Sequence, residues 1–167
     1  MQIAGIDYGS KRAGTTALAL LDTGASLQLF QSGKGEDADA FLLKHLRQRQ
    51  PTKVFMDAPL SLPGVYRYES DAYSDYFYRA ADRELQAMSP MFLGGLTARA
   101  MQLQQQLSAE KITVYETYPA RLAQVLELPK EQYKKKQQPP AALVPLLSAH
   151  CPLIPPTLAL ENWHQFD

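Results

Sequence analysis

Acidic side chains recur at the ends of apolar segments in this sequence. Asp7 follows the apolar run that begins at Ile3, and Asp57 and Glu116 each end a later run of the same kind. A carboxylate that leaves a buried strand must be solvated, hydrogen-bonded or paired with a cation, because burying it alone is very costly. A fourth acid, Asp167, ends the sequence. Carboxylate oxygens suit hard cations such as Mg²⁺, so these acids are candidate metal ligands.

Two basic residues come directly after the first acid. Lys11 and Arg12 follow the turn at Gly9, where glycine lets backbone amides approach a ligand closely. An acid, a glycine turn and two bases in so short a stretch suit a site that handles a metal and phosphate oxygens. The alternative is an ordinary capped strand end followed by a solvated turn. We treat Lys11 and Arg12 as candidate substrate-binding residues.

A second basic group lies in the middle of the chain. Arg79, Asp82 and Arg83 are three and four residues apart, so they share one face of a predicted helix. They form either a surface ion pair with a further cation or a clamp for substrate.

The segment before that helix is rich in tyrosine. Interleaved with arginines, such rings can stack on bases and hold phosphates. The favoured interpretation is instead that most of them cover the sheet with amphipathic rings. The tyrosines concerned are Tyr66, Tyr68, Tyr73, Tyr76 and Tyr78.

The order of the predicted elements brings the acids together. Three segments joined by short links, ending near residue 31, predict an antiparallel meander. A helix over 37–49 then leads to a strand that ends at Asp57. A strand reached through a helix normally returns parallel to the first strand, so Asp57 should face Asp7 across neighbouring strands. A further strand ends at Glu116.

The second half of the chain is predicted to be mainly helices and loops. The polar stretch 127–140, with three consecutive lysines from Lys134, is predicted to be a loop, and its lysines are expected to be solvated or to attract a polyanion. A final helix is predicted to start near Thr157.

Composition limits the possible functions. The chain has 167 residues, 17 basic and 17 acidic, and a formal net charge of zero. This size fits one domain, residues 1–167. A protein that coats duplexes is usually far more basic, although an enzyme with a local basic patch remains compatible. A single cysteine, Cys151, suits a reducing cytosol, and no apolar run is long enough to span a membrane. We expect a cytoplasmic protein without a membrane partner.

The sequence resembles the bacterial family of predicted ribonuclease H-like nucleases, a domain of unknown function. The resemblance extends over nearly the whole chain, and its Asp-Ala-Pro-Leu stretch is the most specific part. The matching motifs are Gly5-Ile6-Asp7-Tyr8-Gly9, Met56-Asp57-Ala58-Pro59-Leu60-Ser61-Leu62-Pro63, Arg79-Ala80-Ala81-Asp82-Arg83-Glu84-Leu85, Tyr115-Glu116-Thr117-Tyr118-Pro119 and Trp163-His164-Gln165-Phe166-Asp167. The family usually continues beyond Asp167 as a full helix, so the last helix is expected to be incomplete here.

This resemblance implies an α/β fold with a mixed five-stranded sheet, a three-strand antiparallel meander plus two parallel strands, and helices on both faces. It implies that Asp7, Asp57 and Asp167 hold Mg²⁺ or Mn²⁺ for the hydrolysis of nucleic-acid phosphodiesters, with Asp7 bridging two ions. Glu116 would be a ligand or a base beside the ligands. The non-bridging phosphate oxygens would be held by Lys11, Arg79 and Arg83.

Two other functions remain open. The Gly-Ile-Asp-Tyr-Gly-Ser opening also resembles the first phosphate loop of actin-like kinases and ATPases, which use two such domains around a nucleotide. The other alternative is a catalytically inactive binding module of the same fold. It would recruit a partner through the tyrosine-rich segment.

Overall fold

The computed structural model describes residues 2–22, 24, 26–67 and 72–167. Five strands form one sheet in the order β3-β2-β1-β4-β5. They span Gln2–Asp7 (β1), Ala17–Asp22 (β2), Ser26–Gln31 (β3), Lys53–Asp57 (β4) and Thr113–Glu116 (β5). β1, β2 and β3 pair antiparallel, whereas β4 pairs parallel with both β1 and β5. The predicted mixed sheet is confirmed, and its strand order and directions are those of a ribonuclease H-like fold.

The helices of the described ranges connect these strands and follow them. The α-helices span Ala38–Arg49 (α1), Ala80–Leu85 (α2), Pro90–Leu93 (α3), Gly95–Ala109 (α4), Pro119–Val125 (α5), Val144–His150 (α6) and Trp163–Phe166 (α7), and short 3-10 helices span Gly64–Arg67 and Pro140–Leu143. Among the described residues, no helix is long and apolar enough to cross a membrane.

The main core lies between one face of the sheet and helices α1 and α4. Alternate residues of each strand point to opposite faces, and Ile6 and Met56 are buried on this one. Leu42 of α1 and Leu107 of α4 are fully buried in the same cluster. Each such side chain contributes roughly 1.5–3 kcal/mol on burial, which fixes the strands whose ends carry the acids.

Helix α7 covers part of the opposite face, so the prediction of helices on both faces is confirmed. It packs against β2 and β3, where Ala17 and Ala19 leave room for its close approach. At β4 and β5 the same face of the sheet is exposed. There Phe55 and Tyr115 stack at 5.4 Å between ring centroids and stay 36% and 43% exposed.

The last helix starts later than the sequence pattern indicates. The helix predicted from Thr157 begins at Trp163, because the side chain of Asn162 caps it by accepting the amide N–H groups of His164 and Gln165. A side chain of this kind satisfies amide donors that have no partner inside the helix.

The tyrosine-rich segment is more exposed than the interpretation as amphipathic rings that cover the sheet predicts. Tyr73 and Tyr76 are 45% and 60% exposed, and the ring of Tyr76 meets the edge of Tyr66 at 6.0 Å. Tyr68 lies outside the described residues.

Candidate active site

Asp7 and Asp57 lie side by side at the carboxyl ends of two parallel strands. Their Cα atoms are register partners in the pairing of β1 with β4. Because partners in a parallel pair point to the same face of the sheet, both carboxylates belong to the face that α7 covers. The two side chains are predicted site residues, and the structure brings them together.

Helix α7 brings the third acid to this edge. Asn162 and Gln165 both donate to the side-chain oxygen of Gln31, at 2.9 and 3.1 Å, and this ties α7 to the end of β3. His164 Nδ1 lies 2.5 Å from Asp7 Oδ2. Asp167 follows at the end of the helix with a side chain that is only 2% exposed. Helix α7 thus places one histidine, His164, and one acid, Asp167, beside Asp7.

The predicted loop 127–140 supplies two further side chains. The Tyr133 hydroxyl donates to Asp167 Oδ1 at 2.8 Å, and the Lys134 ammonium pairs with Asp167 Oδ2. The ring of Tyr133 also packs against Trp163 at 5.7 Å between centroids. The expectation that this lysine is merely solvated is wrong for Lys134, which pairs with an acid of the cluster, and its attraction of a polyanion stays a prediction.

Burial dominates the electrostatics of Asp7 and Asp57. Burial, together with the smaller effect of the nearby Asp7 carboxylate, raises the pKa of Asp57 to about 7. Burial also raises the pKa of Asp7, although the hydrogen bond from His164 opposes that shift. The charge of Lys134 lowers the pKa of both acids. The cluster therefore contains closely spaced carboxylates that a single ammonium group neutralises only in part.

Glu116 lies at the same edge but is held by different partners. Its Cα pairs with Met56 rather than with Asp57, so the pleat directs it to the opposite face of the sheet. Arg79 binds it through two hydrogen bonds of 2.6 and 2.7 Å, and the Leu60 amide adds a third of 2.9 Å. The structure joins Asp7, Asp57 and Asp167 and leaves Glu116 outside that group.

Arg79 uses all of its guanidinium donors on protein groups. Its Nε and Nη2 atoms donate to Asp82, its Nη1 and Nη2 atoms to Glu116, and Nη1 also to Ser61. Because an arginine has five N–H donors, a phosphate contact would require one of these bonds to open. Asp82 is 2% exposed and also accepts the backbone N–H of Arg79, so this pair caps the start of α2.

The other predicted substrate-binding residues have partners outside the acid cluster. Arg83 donates to Asp75 at 2.8 Å, with its guanidinium 3.7 Å from the centre of the Tyr78 ring. Lys11 pairs with Asp37 at 3.1 Å, and Arg12 is exposed in the turn after β1. Their roles in binding substrate stay predictions.

A partly buried network of hydrogen bonds holds the loop that follows Asp7. The Tyr8 hydroxyl donates to Asp39 at 2.5 Å, and Arg99 of α4 donates to both oxygens of Asp39 and to the Gly9 carbonyl. No sequence motif indicated this network or the contacts of Tyr133 and Lys134 with Asp167. For His164, the one available signal was its position inside the terminal motif.

In the described part of the chain, no group of three or more His, Cys, Asp or Glu side chains is arranged to hold a metal ion. The contacts explain this: Asp7 is bound to His164, and Asp167 to Tyr133 and Lys134. The donor chemistry nevertheless fits a hard divalent cation, because all three acids offer oxygen ligands and already draw one positive charge toward them. A metal ion here would replace the ammonium of Lys134.

A cleft of about 580 Å³ adjoins the acids. Asp57 and Glu116 line it at the strand ends, together with Arg79. Its remaining walls are mostly apolar side chains of the segment that includes α2, α3 and the start of α4. The site thus has an acidic part and an adjoining apolar part, which meet at Asp57.

No protein-family model and no curated protein matches the chain. Thermus thermophilus RuvC is similar in structure, with a TM-score of 0.48 and 17% identity over 99% of this chain and 87% of that one. A structure of T. thermophilus RuvC in complex with Holliday junction substrate gives 0.46 and 15%, over 98% and 86%. From its strand order and directions, the chain has a ribonuclease H-like fold, and its narrower family stays a prediction.

Proposed function

We propose that this protein is a metal-dependent hydrolase of nucleic-acid phosphodiesters, with its reaction centre at Asp7, Asp57 and Asp167. The observation that carries the proposal is the register of Asp7 with Asp57, which sets two partly buried carboxylates side by side at a strand edge. Closely spaced carboxylates repel each other, so holding them together costs free energy unless a cation offsets the repulsion. A divalent ion is the cation that oxygen ligands favour most.

The three acids divide the task of holding metal. Asp7 lies between Asp57, its strand neighbour, and α7, which carries Asp167, so it would hold metal together with both of these acids. Mg²⁺ or Mn²⁺ bound there would supply a more acidic water and neutralise charge on the phosphate. His164 holds Asp7 in place through the contact between Nδ1 and Oδ2, and Tyr133 does the same for Asp167.

Lys134 is the residue best placed to meet a phosphate. Its ammonium group already lies among the acids, where a scissile phosphate would lie. With Asp167 holding a metal ion, the Lys134 ammonium would be available to donate to a non-bridging phosphate oxygen. Lys11 and Arg12, in the turn after Asp7, would contact the backbone of the nucleic acid further along.

Binding of nucleic acid should depend on the metal. The net charge of the chain is zero, and the acids of the cluster repel phosphate when no cation is present. A cation at Asp7 and Asp57 reverses the local charge, so substrate and metal should bind cooperatively.

The experiment is a cleavage screen of labelled single-stranded and duplex DNA and RNA with Mg²⁺, Mn²⁺, Ca²⁺ or EDTA. Wild type is compared with Asp7→Asn and with a control, Glu110→Gln, whose acid pairs with Arg47 instead. We expect cleavage with Mg²⁺ or Mn²⁺ that Asp7→Asn abolishes and Glu110→Gln retains. Cleavage that survives Asp7→Asn would overturn the proposal.

The contacts of Asp167 favour one alternative, an inactive binding module, because its carboxylate is already satisfied by Lys134 and Tyr133. This alternative predicts no cleavage of any nucleic acid and no change in melting temperature on addition of Mn²⁺. A phosphotransferase or ATPase would instead form a tight complex with ATP.

A further inference from the structure

The cleft beside Asp57 has walls of two chemical kinds. One wall, at the strand ends, carries Asp57, Glu116 and Arg79 with the hydroxyl of Ser61. The rest of the lining is mostly apolar, and Met88 within it is 60% exposed. Its apolar side chains are Leu85, Ala87, Met88, Leu93 and Leu96. A volume of about 580 Å³ is in the range of cavities that take one small organic group.

The charges of the polar wall do not suit an anion. Arg79 is the one basic side chain that lines the cleft in the described part of the chain, and its five donors are all engaged. Around it lie the acids Asp57, Asp82 and Glu116. A phosphate would meet more negative than positive charge there, whereas a neutral group would not be repelled.

The polar wall does offer a hydrogen-bond acceptor. Glu116 accepts three hydrogen bonds, two from Arg79 and one from the Leu60 amide. A carboxylate has about four acceptor positions, so one remains for a donor from a ligand. The cleft thus suits a neutral group with an apolar face and an N–H edge, and a nucleobase has both.

We propose that this cleft receives one unpaired nucleobase next to the phosphate at Asp7 and Asp57. The inference rests on the proposed function, because that function places the phosphate. Asp57 belongs both to the acid cluster and to the lining of the cleft, so a nucleotide with its phosphate there has its base within reach of the apolar wall. A cleft of this size has no room for a base pair within a helix, so the substrate is single-stranded at this position or presents a base turned out of the stack.

The test uses adenosine and ribose as probes, with no phosphate and no metal present. The methyl carbons of methionine are labelled with ¹³C and observed by NMR. We expect adenosine to shift the Met88 methyl signal with a dissociation constant of the order of 0.1–1 mM. Ribose should leave it unchanged, and Met101, which lines a different cavity, serves as the internal reference. Absence of a Met88 shift with adenosine would overturn the proposal, as would an equal shift with ribose.

A pair of matched variants identifies where the base binds. Ala81 is an exposed helical alanine that lines the cleft, so Ala81→Trp fills it with little effect on folding. Ala149→Trp makes the same change at an exposed alanine of α6. We expect Ala81→Trp to weaken adenosine binding about tenfold or more and Ala149→Trp to leave it unchanged. Equal binding by both variants would contradict the assignment.

The outcomes separate this inference from the proposed function. Adenosine carries no phosphodiester and the assay contains no metal, so cleavage that depends on Asp7 can succeed while adenosine fails to bind. The cleft proposal then falls and the hydrolase stands. Binding of adenosine without any metal-dependent cleavage would leave a base-binding cleft on a protein that is not a nuclease.

Discussion

Lys134 forms an ion pair with Asp167, whose side chain is only 2% exposed. The ammonium group therefore occupies a position that a divalent cation would need. Removing it with Lys134→Met should strengthen Mn²⁺ binding about tenfold, because the metal no longer competes with a fixed positive charge. Isothermal titration with Mn²⁺ measures the change.

Lys136→Met is the matched control for that experiment, because Lys136 is an exposed lysine of the same segment. It should bind Mn²⁺ as wild type does. Weaker binding by Lys134→Met than by the control would mean that the lysine assists the metal site instead of competing with it.

The stability of the metal-free protein should fall as pH rises. The pKa of Asp57 is raised from 3.8 to about 7, so the folded state binds this proton more tightly than the unfolded state does. The resulting stabilisation is complete below pH ~4 and is lost as the pH rises through about 7. Asp57→Asn should remove this loss and raise the free energy of unfolding at pH 8 by up to ~4 kcal/mol. Urea denaturation in EDTA at pH 4 and at pH 8 measures the change.

At pH 4 the same variant should differ much less from wild type, because Asp57 is then protonated in the folded state and still about half protonated in the unfolded state, where its pKa is 3.8. An equal effect of Asp57→Asn at pH 4 and pH 8 would show that its carboxylate does not carry the pH dependence.

Arg79 should matter more for stability than for contact with phosphate. Arg79→Ala leaves Asp82, which is 2% exposed, without its cation, so unfolding should become easier by about 3–5 kcal/mol. Arg83→Ala, four residues later, breaks an exposed pair with Asp75 and should change stability little. Chemical denaturation compares the two variants. Similar stability of both would contradict the structural role of Arg79.

Filling the cleft should affect single-stranded substrates. If one unpaired base enters it during cleavage, Ala81→Trp should lower the rate on single strands about tenfold or more while Ala149→Trp does not. The affinity for Mn²⁺ should be the same in both variants, since neither residue belongs to the acid cluster. Steady-state cleavage of labelled oligonucleotides measures this, and an unimpaired Ala81→Trp would argue against entry of a base.

Part of the site follows from chain order alone. A strand that returns through a helix pairs parallel to the first, and this rule places Asp57 beside Asp7. The face on which Glu116 lies could not be predicted, because it depends on whether β5 pairs with β4 in one register or the next, and one residue of shift reverses the side chain. Arg79 fixes the outcome, and its contact with Glu116 spans 37 residues of sequence.

The position of Lys134 could not be predicted either. The polar stretch that contains it has no apolar periodicity, so the sequence carries no local signal for where it packs. Its position depends on Tyr133, whose ring meets Trp163 and whose hydroxyl meets Asp167, contacts that only the tertiary fold creates. The late start of α7 has a similar origin in the cap at Asn162.

The central claim is that Asp7 and Asp57 hold a divalent cation between them. Crystals soaked in Mn²⁺ and measured for anomalous scattering test it directly. The account predicts an anomalous peak within bonding distance of both carboxylates, with the Lys134 ammonium moved away from Asp167. The soak uses a Mn²⁺ concentration at least as high as the one that supports cleavage in solution. If both carboxylates are then ordered and no anomalous peak lies between them, the claim is contradicted.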